Sequence, residues 1–161
     1  MDRFSEDTLN YPQTKFIQEM KKKLAASKKA GLKVILDANF FFIPIQFNLD
    51  IFEELAKLLK KRYEPIVLSS TKKELQGLAE STSTKITKQA LTAINLLDKC
   101  CFVPVEKSST ETYDDVIVRV ATESKIPVAT NDRNLRKRLR QLGVAVIYMR
   151  QKQRLALDGS V

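Results

Sequence analysis

The sequence predicts an α/β fold in which helices cover both faces of a parallel, five-stranded sheet. Short apolar runs of the kind that form buried strands alternate with amphipathic helical segments along the chain. Strands separated by helices pair in parallel, and a parallel sheet is buried on both faces. The 161 residues and the 43% hydrophobic content suffice for one domain with a single core.

The strand predictions rest on five short apolar runs. These runs are Lys33 to Leu36, Pro65 to Leu68, Cys101 to Val105, Ile126 to Ala129 and Val144 to Met149. A further apolar segment, Phe40 to Phe47, contains Pro44 and is predicted as a loop or helical turn. This segment suits core burial and the interface of a homodimer equally well.

Helical spacing of apolar residues predicts one helix before the first strand and five after it. The helices are Thr14 to Ala30, Asp50 to Lys61, a helix that Ser70 or Thr71 caps and that ends at Leu78, Ile86 to Asp98, Asp114 to Ser124 and Arg133 to Leu142. The organisation is therefore a polar segment with a basic helix over 1–30, the α/β domain over 31–150 and a basic tail over 151–161. We expect the tail to fray from Leu155 unless it docks on RNA or protein.

The composition excludes several classes of protein and of chemistry. No apolar run is long enough to span a membrane and no secretory signal starts at Met1, so we expect an intracellular, cytoplasmic protein without a membrane partner. The chain contains no histidine, which excludes Ser–His–Asp and Cys–His triads and His-based zinc sites. Cys100 and Cys101 are predicted to be free, buried thiols. The net charge of +9 suggests a polyanionic partner.

Acidic residues follow the predicted strands at the point where each strand ends. Asp37 follows the first strand, Glu74 the second, Asp114 and Asp115 the third, and Asp132 the fourth. The carboxyl ends of parallel strands open on one edge of the sheet, so these side chains are expected to converge. Clustered carboxylates repel each other unless a cation lies among them, and hard oxygen ligands select Mg²⁺ or Mn²⁺. Such ions suit chemistry at phosphate.

Most of these acids also have a structural explanation. Glu74 and Asp115 each stand three residues after a threonine, which is the spacing of a capping box. Asp132 is placed to cap the helix that follows it, and Asp114 would complement the dipole of a first helical turn. Asp37 has no clear cap pattern after it. Capping does not require the acids to gather on one edge of the sheet, so a metal site explains the whole set better.

Four strings of the sequence carry a family resemblance. LDANFFF, STKKEL, YDDVIVRVA and VATNDRNLRKRL resemble, in order and spacing, the acidic motifs of PIN-domain ribonucleases. The resemblance covers Lys33 to Met149. YDDVIVRVA, VATNDRNLRKRL and the ending YMRQKQRLALDG look most like the ribosome-processing branch, the Fcf-type and Utp-type PIN proteins. VapC-like toxins are similar more distantly.

The resemblance implies a three-layer α/β/α sandwich and metal-dependent cleavage of RNA that leaves 5′-phosphate and 3′-hydroxyl ends. The implied catalytic residues are the acidic tetrad Asp37, Glu74, Asp114 and Asp132. One or two Mg²⁺ or Mn²⁺ ions would be bound by Asp37, Asp114 and Asp132, with Asp115 sharing or replacing the role of Asp114. Asp114 stands three residues before Ile117, which is expected to face inward, and this spacing favours Asp114 over Asp115 as the site residue.

The resemblance also implies supporting residues, and the charge pattern suggests where RNA lies. Asn39 and Asn131 look like the family's polar residues beside the first and last acids, expected to orient a carboxylate or a metal-bound water. Thr130 and Ser70 are placed to add hydroxyl contacts. From Asn131 to Arg154 eight bases face a single acid: Arg133, Arg136, Lys137, Arg138, Arg140, Arg150, Lys152 and Arg154. An arginine-rich cluster beside an acidic pocket favours a phosphate-contacting face.

Three functions remain open from the sequence. The first is an RNA endonuclease that acts on ribosomal RNA or its precursor, with ribosome assembly proteins as further partners. The second is a VapC-like toxin ribonuclease, and the third is a non-catalytic RNA-binding assembly factor. The lysine-rich first helix and the basic tail favour the first function over the second. The complete acidic set argues against the third.

Overall fold

The structure is a computed structural model that describes residues 31–161 together with Gln18 and Lys22. Apart from those two residues, the polar segment and the basic helix predicted over 1–30 lie outside the described residues. Within the described part of the chain, no helix has the length and the hydrophobicity that a membrane crossing requires.

The fold is an α/β sandwich around a mostly parallel sheet, as the sequence predicts. Its strands are β1 (Leu32–Leu36), β2 (Tyr63–Leu68), β3 (Cys101–Val103), β4 (Val128–Ala129), β5 (Val146–Arg150) and β6 (Arg154–Asp158). Its helices are α1 (Ile43–Phe47), α2 (Ile51–Leu59), α3 (Ser69–Ala79), α4 (Thr84–Leu96), α5 (Tyr113–Ser124) and α6 (Arg133–Gln141). Two 3-10 turns, Ala38–Phe42 and Leu97–Lys99, complete the described elements.

The strand order is β3-β2-β1-β4-β5-β6, with β1 to β5 parallel. After β1 the chain winds towards one edge of the sheet, and from β4 onward it winds towards the other. The carboxyl ends of β1 and β4 therefore form a switch point, where open α/β sheets bind their ligands.

The predicted count of five strands is wrong, because the segment after β5 forms a sixth. Gln151 and Lys152 adopt left-handed conformations, with φ of 53° and 58°, and turn the chain back on itself. Strand β6 then pairs antiparallel with β5, so that Leu155 lies opposite Met149. The fraying expected from Leu155 is wrong for the residues of β6, because this segment pairs with β5 and its two leucines pack in the hydrophobic core.

Two hydrophobic clusters lie on opposite faces of the sheet. One joins Ile35 and Ile66 to α5 and α6. The other joins Leu36 to α2, α3 and α4. Neighbouring residues of a strand contribute to opposite clusters, as the pleat requires. Phe40, Phe41 and Ile43 are fully buried in the second cluster, so core burial accounts for these residues of the apolar segment.

Candidate active site

The site lies at the switch point, where β1 and β4 end side by side. Asp37 follows β1, and its backbone nitrogen donates to the carbonyl oxygen of Ala129 at the end of β4, at 3.0 Å. Asp132 lies three residues after Ala129 and begins α6. The two acids therefore approach each other because their strands are adjacent, although 95 positions separate them in the sequence.

Asp37 is a buried carboxylate held at both oxygens. It is 3% exposed. Its Oδ1 accepts a hydrogen bond of 2.8 Å from the nitrogen of Ala38, and its Oδ2 accepts one of 2.7 Å from the hydroxyl of Thr130. Burial raises the pKa of Asp37 from 3.8 to about 6, with the Thr130 bond opposing that rise. Asp37 also caps the 3-10 turn, a role the sequence did not reveal.

The loop Thr130–Asn131–Asp132 is fixed by side chains on both sides. The Thr130 hydroxyl oxygen accepts from the backbone nitrogen of Asp132 at 3.1 Å while it donates to Asp37. Asn39 Oδ1 accepts from the nitrogen of Asn131 at 3.1 Å. Asn131 Oδ1 in turn accepts from the nitrogen of Met149 on β5 at 2.8 Å. The described hydrogen bonds of the two asparagines with the backbone thus hold the loop in place.

Asp132 caps α6, as predicted. Its Oδ1 accepts from the nitrogens of Asn134 and Leu135 at 2.8 and 3.1 Å. Both described bonds use the same oxygen, and this leaves Oδ2 for another partner. Capping and a role in the site are therefore compatible in one side chain.

Glu74 projects from the second turn of α3, and its predicted capping box with Thr71 is wrong. The helix begins one turn earlier than a Thr71 cap requires, because Leu68 occupies the N-cap position without a side-chain bond. Glu74 Oε2 is buried and has no hydrogen-bond partner among the described residues. Burial, followed by the charges of Asp37 and Asp114, raises the pKa of Glu74 to about 7.

Asp114 and Asp115 have different environments. Asp115 completes the predicted capping box with Thr112: Asp115 Oδ2 accepts from the nitrogen of Thr112 at 2.9 Å, and the nitrogen of Asp115 donates to the Thr112 hydroxyl at 3.1 Å. Its Oδ1 is 2.9 Å from Nη2 of Arg138. Asp114 is half-buried, and burial followed by the charge of Asp132 raises its pKa. The structure thus brings Asp114 to the cluster and gives both oxygens of Asp115 other partners.

The four acids Asp37, Glu74, Asp114 and Asp132 form one electrostatic cluster. The charge of Asp114 raises the pKa of both Asp37 and Glu74, and the charge of Asp132 raises that of Asp37 and Asp114. Such mutual repulsion is what a cation relieves, and carboxylate oxygens are the ligands that Mg²⁺ and Mn²⁺ prefer. The unpartnered Glu74 Oε2 also suits a cation. Within residues 31–161, however, no three acidic or sulfur-bearing side chains are close enough as they stand to ligate one ion.

Comparison with known proteins decides the family. A family model described as a PIN like domain matches residues 34–152. The chain belongs to the PIN-like domain family. Its match covers the carboxyl ends of both strands of the switch point and all four acids of the cluster.

Two sequence relatives resemble the PIN-like domain over most of its length. Ribonuclease VapC4 of Methanocaldococcus jannaschii is 30% identical over 131 residues, which are 80% of this chain and 98% of that protein. The rRNA-processing protein fcf1 of Schizosaccharomyces pombe is 27% identical over 117 residues, which are 71% of this chain. The chain matches only 57% of the length of fcf1.

Solved structures share the fold. The PIN domain endonuclease Utp24 superposes with a TM-score of 0.67 at 26% identity, over 80% of this chain and 92% of that one. VapBC2 from Rickettsia felis, solved with a DNA fragment from its promoter, gives a TM-score of 0.54 at 15% identity, over 74% of this chain and all of the other. The second likeness extends to the fold alone.

The basic residues of the PIN-like domain fall into groups with different partners. Arg138 faces Asp115, as described above. Arg136 and Arg140 each place Nε 3.1 Å from a carboxylate oxygen of Asp158. The remaining predicted bases are exposed: Arg133, Lys137, Arg150, Lys152 and Arg154. Salt bridges inside the protein therefore hold part of the arginine cluster in fixed positions.

Two residues of this region were missed or misjudged from the sequence. Asp158 received no role, although it orders two arginines. Tyr148 received no role either, although the guanidinium of Arg136 lies over its ring, 3.6 Å from the ring centroid. The two leucines of RLALD, spaced two residues apart as on one face of a strand, are the sequence signal that could have revealed β6 and hence the position of Asp158.

Proposed function

We propose that this PIN-like domain is a divalent-metal-dependent endoribonuclease and that its acidic cluster is the catalytic centre. The observation that carries the proposal is the buried Asp37 at the switch point, electrostatically coupled to Asp114 and Asp132. Holding several carboxylates together destabilises a protein unless a cation offsets their repulsion. Each of these acids follows a different parallel strand, and convergence of strand ends at a switch point is typical of a ligand site.

Asp37, Asp114 and Asp132 are the residues we propose as ligands of Mg²⁺ or Mn²⁺, with Glu74 beside them. An ion held there would activate water and stabilise the charge that develops on the phosphate during cleavage. Asp115 was also predicted as a metal ligand, and its bonds to Thr112 and Arg138 support Asp114 in that role instead.

The protein's own groups have separate parts in this proposal. Thr130 donates to Asp37 and accepts from the nitrogen of Asp132, and so sets the spacing of these two acids. Asn39 and Asn131 are positioning residues that hold the loop between them. Glu74, with a pKa of about 7, is able to exchange a proton near neutral pH. None of these steps requires histidine, which the chain lacks.

We propose ribosomal RNA or its precursor as the substrate, with the arginine-rich face as its binding surface. The likeness to the rRNA-processing protein fcf1 and to the PIN domain endonuclease Utp24 supports this choice. The eight bases between Arg133 and Arg154 supply the positive charge that an RNA backbone requires. Action on ribosomal RNA would place the protein inside the cell, where a second copy of the chain and ribosome assembly proteins are the further partners we propose.

A toxin ribonuclease is the second candidate, because the likeness to VapC4 extends over 98% of that protein. The basic ending of the chain, which favoured the processing enzyme from sequence, no longer separates the two. Residues 154–158 are a strand of the sheet and thus part of the domain itself.

Cleavage of two labelled RNAs tests the proposal and separates the candidates. The protein is incubated with a precursor ribosomal RNA fragment and with transfer RNA, each with Mn²⁺, with Mg²⁺ and with EDTA. Metal-dependent cutting of the precursor at one position, abolished by Asp37→Asn and by Asp132→Asn, is the expected result. Preferential cutting of transfer RNA would favour the toxin. Binding without cutting by the native protein would leave an RNA-binding assembly factor.

A further inference from the structure

A strip of basic residues runs from the acidic cluster down one face of the domain. Helix α6 and the β5–β6 hairpin form its two walls. Six bases line the strip: Arg133, Arg136, Lys137, Arg140, Arg150 and Arg154. We call this strip the basic track, and three structural relationships define it.

The hairpin presents its polar strand residues to α6, whereas Met149, Leu155 and Leu157 face the opposite cluster. Residues directly opposite each other in antiparallel strands share a face, and alternate residues of a strand share a face. Met149 and Leu155 are opposite each other and belong to the cluster on the α2 side. Arg150 and Arg154 are also opposite each other and are one residue out of phase, so they lie on the α6 side.

Contacts with α6 confirm which face the polar residues occupy. Tyr148 lies two residues before Arg150 and is therefore on the same face of β5. The guanidinium of Arg136, from α6, lies over the ring of Tyr148. Asp158, two pairs further along this face, binds Arg136 and Arg140. Both bonds use Nε, so the terminal nitrogens of Arg136 lie outside its ion pair. In Arg140, Nη1 donates to the carbonyl oxygen of Val144 at 3.4 Å.

The open groove between the walls follows the length of α6. Arg133, Lys137, Gln141 and Asp158 are among its lining residues. Helix α6 starts at the carboxyl edge of the sheet beside Asp132, and its nine residues descend for about 14 Å. Arg150 and Arg154, at the hairpin end of β5 and β6, lie at the same edge as the acids.

We propose that the basic track holds the backbone of a single RNA strand on one side of the bond that is cut. The choice of RNA as the ligand rests on the proposed function, whereas the position of the binding surface rests on the geometry of the track. An acidic peptide would also be attracted by the charge. A strand whose phosphates continue into the acidic cluster fits better, because the track begins where the phosphodiester chemistry is proposed and ends at Asp158.

Charge removal on the track, compared with equal charge removal elsewhere, tests the proposal. The track variant is Arg133→Gln with Arg154→Gln, and both residues are exposed. The control is Lys85→Gln with Lys88→Gln, two exposed residues of α4 on the opposite side of the sheet. Thermal unfolding first establishes that both proteins are folded.

Binding is measured by fluorescence anisotropy with a single-stranded 2′-O-methyl oligonucleotide in EDTA, over a series of salt concentrations. The track variant is expected to bind about tenfold more weakly, and the slope of log Kd against log salt should fall by about 1.4, or about 0.7 for each phosphate contact. The control is expected to stay within about twofold of the native protein. Equal effects of the two variants would overturn the proposal.

Polyglutamate serves as the competing ligand. If it displaces the oligonucleotide at equal charge concentration from the native protein, the track fits an acidic protein partner and the RNA proposal is overturned. The oligonucleotide is not cleaved and no metal is present, so this test is separate from the nuclease assay. A protein that binds along the track but cuts no RNA would refute the proposed function and support the track.

Discussion

The hydroxyl of Thr130 lies 2.7 Å from Oδ2 of Asp37, and it links the ends of β1 and β4 within the buried part of the site. Thr130 is fully buried, so this bond is not shared with solvent. The same oxygen accepts from the nitrogen of Asp132 at 3.1 Å. A single hydroxyl therefore positions two of the acids that we propose as metal ligands, and it opposes the effect of burial on the pKa of Asp37.

Thr130→Val removes the hydroxyl but nearly preserves the shape of the side chain. It should therefore weaken both the positioning of the two acids and the lowering of the Asp37 pKa. The pKa of Asp37 is expected to rise further because the bond that lowers it is lost, and the nitrogen of Asp132 loses its acceptor. The free energy of unfolding should fall by about 1–3 kcal/mol, measured by urea denaturation. The acid limb of the pH profile of cleavage should move to higher pH. Thr130→Ser retains the hydroxyl and should restore the native profile, which a purely steric role of the methyl group would not allow.

The metal-free protein should lose stability as the pH rises through the range in which Asp37 ionises. Burial raises the pKa of Asp37 from 3.8 to about 6, so the folded state holds its proton more tightly than the unfolded state does. The stabilising contribution is complete below the unfolded value and is lost above about pH 6. For a shift of this size the effect is at most about 3 kcal/mol.

Thermal unfolding in EDTA between about pH 4 and pH 8 measures this loss. Asp37→Asn has no carboxylate to ionise, and its stability should exceed that of the native protein above about pH 6. Added Mn²⁺ should stabilise the native protein at pH 7.5 and have little effect on Asp37→Asn. A native protein that gains stability steadily with pH in EDTA would show that burial of this carboxylate is not the governing factor.

Leu155→Ala should destabilise the domain, because β6 is part of the sheet and not a mobile tail. Leu155 is 6% exposed and belongs to the cluster that Met149 joins. Loss of its side chain is expected to cost at least about 2 kcal/mol. The measurement is urea denaturation of Leu155→Ala and, as a control, of Ala156→Gly. Residue 156 pairs in the same strand, so the comparison separates the loss of core packing from a general weakening of β6. An unchanged stability for Leu155→Ala would mean that the strand does not contribute to the core.

The sequence was sufficient to predict the parallel sheet and the convergence of its acids, because both follow from the alternation of strands and helices. The positions of Asp37 and Asp132, just after two of the predicted strands, were enough to predict that these two acids lie in the site. The family resemblance was needed to select Asp37, Glu74, Asp114 and Asp132 from these acids as the implied catalytic tetrad. Asp132 also shows that a cap and a site residue can be the same side chain, so a capping explanation could not decide against function.

The sequence was less informative where tertiary contacts determine where a helix begins or whether a segment forms a strand. The threonine spacing before Glu74 and Asp115 is identical, yet only Asp115 forms the capping box. Glu74 does not, because α3 starts directly after β2 and places Thr71 inside its first turn. Strand β6 was missed because its turn requires left-handed conformations at Gln151 and Lys152. Glutamine and lysine are not the residue types that typically indicate a hairpin turn.

The most direct test of the central claim compares two adjacent acids that differ in environment but not in charge. Asp114 belongs to the coupled cluster, whereas both oxygens of Asp115 are engaged by Thr112 and Arg138. Cleavage rates of a labelled precursor ribosomal RNA fragment with Mn²⁺ are measured for Asp114→Asn and Asp115→Asn. The catalytic role of the cluster predicts that Asp114→Asn loses at least about a hundredfold in rate and that Asp115→Asn keeps most of its activity with a lower unfolding temperature. Equal losses in both variants, or full activity in Asp114→Asn, would contradict it.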